Sequence, residues 1–185
     1  MSLKAVIGDI QIRRQKNRID SKEFMFPDAL RNTKHILVLL PSGLRELTLV
    51  KQFLPMISDM FKPAEVVLLS MPGVKVTDIF PRKGFQIMSP SNEHLTWSGL
   101  AKKNYLKTLE DLKIDLILDL NLDKSTFTSS VLLNFPQAVR IGRGNHRGNP
   151  FYNLEIKTKY LRDERNIYKT LLETIETLKG QPIHN

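Results

Sequence analysis

Three short stretches carry residue types that can hold an anion or a sugar hydroxyl. The first, Pro41 to Glu46 (PSGLRE), offers Ser42 and Gly43 directly after an apolar run. It has a single glycine in place of the G-x-G-x-x-G of a dinucleotide site and lacks the GK[ST] of a P-loop, so it reads as a structural turn or a weak anion site. The second, Asp119 to Ser125 (DLNLDKS), ends an apolar run with a carboxylate and opens the next element with Asp123, Lys124 and Ser125. Lys124 beside the free amides of a helix start can hold a phosphate, and Asp119 can accept a hydrogen bond from a sugar hydroxyl. The alternative is plainer: Asp123 as a helix N-cap and Lys124 as a solvated cation. The third, Ile141 to Asn153 (IGRGNHRGNPFYN), gathers Arg143, His146 and Arg147 among glycines. No strand–glycine–helix order follows it, which excludes a cradle of the P-loop kind. Its guanidinium forks match phosphate geometry, so Arg143 and Arg147 can contact a polyanion from a loop, or simply face solvent in a turn.

Catalytic schemes fare worse. A serine hydrolase needs a nucleophile elbow such as G-x-S-x-G, and none is present. Asp115 and Asp119 are four residues apart on an expected strand, or about 13 Å at about 3.3 Å per residue, too far to work as a pair. Trp97 and Tyr105 stand alone, without the aromatic pattern of an RNA-binding sheet. No catalytic residue is assigned.

The composition narrows the classes further. There are no cysteines and only four histidines, and the histidines show no ligand spacing, so neither a metal site nor a cofactor is expected. The 28 basic and 19 acidic residues give a net charge of +9, which attracts polyanions without saying which. Part of the excess lies in Ile12 to Arg18 (IRRQKNR). No run approaches the ~18 apolar residues of a membrane span. The N-terminal apolar stretch is broken too early by Asp9 and Arg13 to serve as a signal peptide. The expected location is the cytoplasm.

The elements that must position these residues alternate along the chain. Continuous apolar runs at His35–Pro41, Ala64–Ser70, Ile114–Leu120 and Gln137–Gly142 suit strands buried on both faces, with a weaker one at Phe85–Ser89. Helical stripes lie between them. One, capped by Ser42, carries Leu44, Leu47, Val50, Leu54 and Ile57. Another spans Ser98–Leu112, a third Lys124–Phe135, and a fourth Arg162–Gly180. Phe151–Thr158 alternates like an edge strand. This order predicts an α/β fold: a single Rossmann-like, doubly wound, mainly parallel sheet. Residues 1–30 are expected to form a basic N-terminal arm, residues 31–180 the domain, and residues 181–185 a tail.

Several strings resemble the N-terminal, acceptor-binding half of heptosyltransferase-type glycosyltransferases, family 9. They are HILVLLPSG at the first strand, KIDLILDLNLDKS (Lys113–Ser125), VRIG (Val139–Gly142), FYN (Phe151–Asn153) and the long last helix. The resemblance spans roughly residues 34–179 and implies one half of a GT-B fold, with the glycines of the basic loop serving to turn the chain. It also implies two losses. Aligning Gly43 on the glycine of the family's Gly-Asp pair puts Leu44 where the proton-accepting aspartate belongs. The chain also ends where the linker to the nucleotide-sugar half would begin.

The expectation is therefore a non-catalytic, single-domain relative binding an anionic glycan or nucleotide through Ser42, Gly43, Asp119, Lys124, Ser125, Arg143 and Arg147. Two alternatives stand beside it. One is a glycosyltransferase subunit completed by a partner chain or a second copy; the other is a nucleic-acid-binding module using the basic arm.

Overall fold

A computed structural model describes residues 3–20, 22–80, 84–144 and 150–180. Six strands run in chain order: β1 (His35–Leu39), β2 (Glu65–Leu69), β3 (Gln86–Met88), β4 (Leu116–Asp119), β5 (Val139–Arg143) and β6 (Leu154–Ile156). They form one sheet in the order β3-β2-β1-β4-β5-β6. All five pairings are parallel. Among the described residues, six α-helices accompany it: α1 (Leu3–Lys16), α2 (Asp28–Arg31), α3 (Leu44–Met60), α4 (Lys103–Glu110), α5 (Thr126–Asn134) and α6 (Glu164–Gly180).

The central strands are apolar at nearly every position because both faces are covered. Alternation along each strand sorts the side chains into two layers. Ile36, Val38 and Leu40 with Leu116, Leu118 and Leu120 pack under α3 and α6, joined by Leu47, Leu54, Tyr168 and Leu172. Leu37 and Leu39 with Ile117 pack under α4 and α5, joined by Leu106, Leu109, Phe127 and Val131. Ile12 of α1 belongs to the second layer.

Several boundaries differ from expectation. Residues 3–16, expected as part of a polar arm, form α1, which lies against α5. α3 is entered from Gly43, not Ser42, and the side chain of Glu46 accepts from the Gly43 amide at 3.1 Å. α4 starts at Lys103, not Ser98, because Gly99 adopts φ 87° in a turn that returns the Leu100 carbonyl to the Thr96 amide. The N-cap of α5 is Ser125, whose hydroxyl accepts from the Thr128 amide, not Asp123. Residues 181–185, expected as a tail, lie outside the described residues.

Candidate functional site

The sheet order reverses between β1 and β4, so the loops at their carboxyl ends flank the crevice where open α/β sheets take ligands. The two faces of the sheet present different chemistry there.

On the α3/α6 face the fold supplies its own anion. Ser42 is exposed, and the Gly43 amide is occupied by Glu46. Burial pushes the Glu46 carboxyl up from its ordinary range. The Gly43 amide opposes that shift, while Asp123 and Glu164 add to it. Arg45 answers Glu164 at 3.1 Å, but from an 80% exposed side chain, so the pair contributes little. Arg143 also points to this face and donates to the carbonyls of Tyr160 and Leu161, at 3.1 and 3.5 Å. It holds down the chain entering α6.

Within the sheet, Asp119 is 1% exposed. Its Oδ2 accepts from the Tyr152 hydroxyl at 2.6 Å, and its Oδ1 accepts from the backbone and side-chain nitrogens of Asn121 at 3.0 and 2.8 Å. The carboxylate is thus built into the domain floor. Gly142, the registered neighbour of Asp119 on β5, explains the geometry: the Tyr152 ring lies where a Cβ on residue 142 would stand. Gly142, which closes the expected strand Gln137–Gly142, lies inside β5 and makes room for a ring.

On the α1/α5 face lies a cleft of about 320 Å³. One wall is α1, contributing Asp9, Ile12, Arg13 and Lys16; the other is Lys124, Ser125, Thr126 and Ser129, with Phe151 beside them. Lys16 Nζ stands 5.8 Å from the Phe151 ring centroid. α1 reaches this close because residue 8 is glycine. A Cβ there would lie 2.7 Å from the Ser98 carbonyl oxygen and 3.0 Å from the Thr126 methyl. Gln11 further anchors the helix by accepting from the Ser98 hydroxyl at 2.5 Å. A wider hollow lies at the opposite, amino end of the sheet, beside Lys34, His35 and Asp115. There Asp115 already accepts from the Lys34 and His35 amides, which leaves a structural clasp rather than a ligand group.

The seven residues expected to bind do not converge. Lys124 and Ser125 meet in the α1/α5 cleft. Ser42 and Gly43 stand at the start of α3, Arg143 braces α6 on the opposite face, and Asp119 is buried beneath Tyr152. Arg147 and His146 lie outside the described residues. The cleft adds Arg13 and Lys16, which the sequence marked only as surplus charge, and Asp9, which it marked only as a break in the N-terminal apolar stretch. Their i, i+4, i+7 spacing beside Gly8 and Ile12 was the available signal. Among the described residues, no group of three or more His, Asp or Glu could hold a metal ion, and no helix is long and apolar enough to cross a membrane.

No family model and no curated protein matches the chain. Among solved structures it is similar to Escherichia coli heptosyltransferase WaaC with ADP, at 15% sequence identity and a TM-score of 0.51. The match covers 82% of this chain and 49% of that one, so the chain spans about half the length of its structural neighbour. At this identity the likeness is one of fold: an all-parallel Rossmann-like sheet with the architecture of one lobe of a heptosyltransferase-type glycosyltransferase.

Proposed function

We propose that the chain is a non-catalytic, single-domain relative of the acceptor half of these transferases, and that it binds a small anionic glycan or nucleotide at the α1/α5 cleft. One observation carries the reading. The cleft brings Lys124 and Ser125, at the carboxyl end of β4, against two further cations from α1. The α3/α6 side of the same crevice is instead filled by Glu46 and its acidic neighbours, which repel an anion. Non-catalytic status rests on Leu44, which stands where the resemblance places a proton-accepting aspartate and cannot take a proton. Asp119 and Arg143 leave the binding set, because both are engaged within the fold.

The test is direct. Purified protein incubated with nucleotide-sugars and candidate acceptors is expected to transfer nothing, and to bind anionic sugars or nucleotides in calorimetry with loss on Lys124→Gln. Transfer by the unaided chain would overturn the reading, and preferential binding of oligonucleotides with a steep salt dependence would replace it.

A second reading, a transferase subunit completed by another chain, is favoured by Glu46. Its carboxyl is raised by burial and lies in the first turn of α3, next to the position the resemblance gives to a proton acceptor. Co-purification with a chain that confers transfer activity, abolished by Glu46→Gln, would select it.

A further inference from the structure

Helix α1 lies before residue 34, outside the stretch that carries the resemblance, yet it forms half of the cleft. We infer that α1 is the second jaw of a site for a phosphate monoester on a hydroxyl-rich body, that is, a small sugar phosphate, with Arg13, Lys16 and Lys124 closing on the phosphate. This rests on the proposed function and names its ligand class.

Charge comes first. Three cations from two separate elements line one cleft of about 320 Å³ and are balanced by a single carboxylate, Asp9. Among the described residues, none of the three cationic side chains makes an ion pair; Lys16 only approaches the Phe151 ring. Gathering like charges without a counter-charge destabilises a fold slightly, and a dianion in the cleft reverses the sign of that contribution.

Placement comes second. Asp9, Arg13 and Lys16 share one side of α1 beside the buried Gly8–Ile12 line, and Gly8 and Gln11 fix that side against Ser98 and Thr126. The basic residues are therefore held at the cleft by packing, unlike Arg14, which lines a separate hollow with Gln15 and Lys103.

The remaining lining sets the ligand's body. Thr126 presents a hydroxyl and Asp9 a carboxylate, groups that exchange hydrogen bonds with sugar hydroxyls, while the Ser125 and Ser129 hydroxyls beneath them are engaged on the Thr128 amide and the Ser125 carbonyl. Ile12 and Phe151 give an apolar strip for the C–H face of a ring. The volume is at the low end of the roughly 300–1,000 Å³ of small-molecule sites, which suits one phosphorylated sugar ring and excludes a dinucleotide.

The experiment uses the full chain and calorimetry with α-D-glucose 1-phosphate, glucose and inorganic phosphate, followed by amide chemical shifts. The sugar phosphate is expected to bind at least about tenfold tighter than inorganic phosphate, with glucose silent, and to move the Gly8, Ser125 and Thr126 amides. Arg13→Gln with Lys16→Gln is expected to weaken binding at least about tenfold, and Lys124→Gln to do likewise. Arg14→Gln with Arg18→Gln, an equal loss of charge elsewhere, is expected to leave it unchanged. Arg13, Arg14, Arg18 and Lys124 are exposed and Lys16 is half-buried beside Phe151, so every variant should still fold, with melting temperatures close to the parent's. Binding lost in Lys124→Gln but indifferent to Arg13 and Lys16 would overturn the role of α1 and leave the proposed function standing. Binding of nucleotides or longer anionic glycans, but not the sugar phosphate, would overturn the ligand class alone. Equal loss in the Arg14/Arg18 control would reduce the effect to bulk charge and overturn the site. Silence towards every anion would overturn both readings.

Discussion

Tyr152, Gly142 and Asp119 form a unit whose logic is local in space and remote in sequence. Tyr152→Phe removes a donor from a buried carboxylate, at a cost of about 2 kcal/mol, and should lower the melting temperature by roughly 4–8 °C in calorimetry. Gly142→Ala pushes the ring off β5 and should cost a comparable ~1–3 kcal/mol. If Tyr152→Phe melts like the parent, the hydrogen bond adds nothing to the floor. The sequence displayed Gly142 as the end of a strand and Asp119 as a binding candidate, because aspartate serves that role so often; only the position of the Tyr152 ring ties both into the floor. Glu46 carries a different prediction. Its carboxyl is raised in the folded state above its ordinary value of 4.5, so the folded form favours the protonated group. That contribution is fully present below pH 4.5 and fades as pH rises through the elevated value. Glu46→Gln should therefore gain on the parent in melting temperature between pH 4 and pH 7, read from paired melting curves. A constant difference would remove the effect of burial on this group.

Elements were legible where one physical signal dominated. The continuous apolar runs of β1, β2, β4 and β5 announce strands covered on both faces, and the stripes of α3 and α6 announce helices covered on one. α1 gave no such signal. Its apolar residues fall on both sides: Ile12 inward with Gly8, and Leu3, Val6 and Ile10 outward, at 70%, 39% and 46% exposure. The two sets cancel in any periodicity, and the basic residues between them read as an arm. Helix starts were misplaced by the same kind of shortfall, since Asp123 and Ser125 are both good caps and only the Thr128 amide chooses between them. Ser125→Ala should cost ~1 kcal/mol. Gly8→Val should force α1 away from Ser98 and Thr126; amide exchange over residues 3–16 is expected to accelerate at least about tenfold, with β1 and β4 unchanged. Unaltered exchange would mean that α1 is held by something other than this close approach.

At the scale of the molecule, the two core layers share every central strand. Leu37 and Leu39 lie under one helical layer while Ile36 and Val38, their immediate neighbours, lie under the other. Neither layer can lose its packing without stripping the sheet that supports the other, so a single cooperative transition is expected. Its enthalpy near 60 °C should be about 130 kcal/mol, from roughly 0.7 kcal/mol per residue. Calorimetric and van't Hoff enthalpies that disagree would show the layers melting separately. The overall architecture was the most readable property of the sequence, because alternation of strand and helix admits few topologies. The proposed binding cleft was the least readable, because it depends on how α1 folds back onto α5, which no local spacing encodes.

The carboxylate of Glu46 is tethered one helical turn from the amide it occupies. Covalent attachment of this kind gives an effective concentration of at least the millimolar order. A diffusing phosphate arriving at the β1–α3 turn must outcompete a resident that never leaves the neighbourhood. Free phosphate is thereby disfavoured at the amino end of α3, and under the proposed function a guest would arrive from the side of the sheet where no such resident waits.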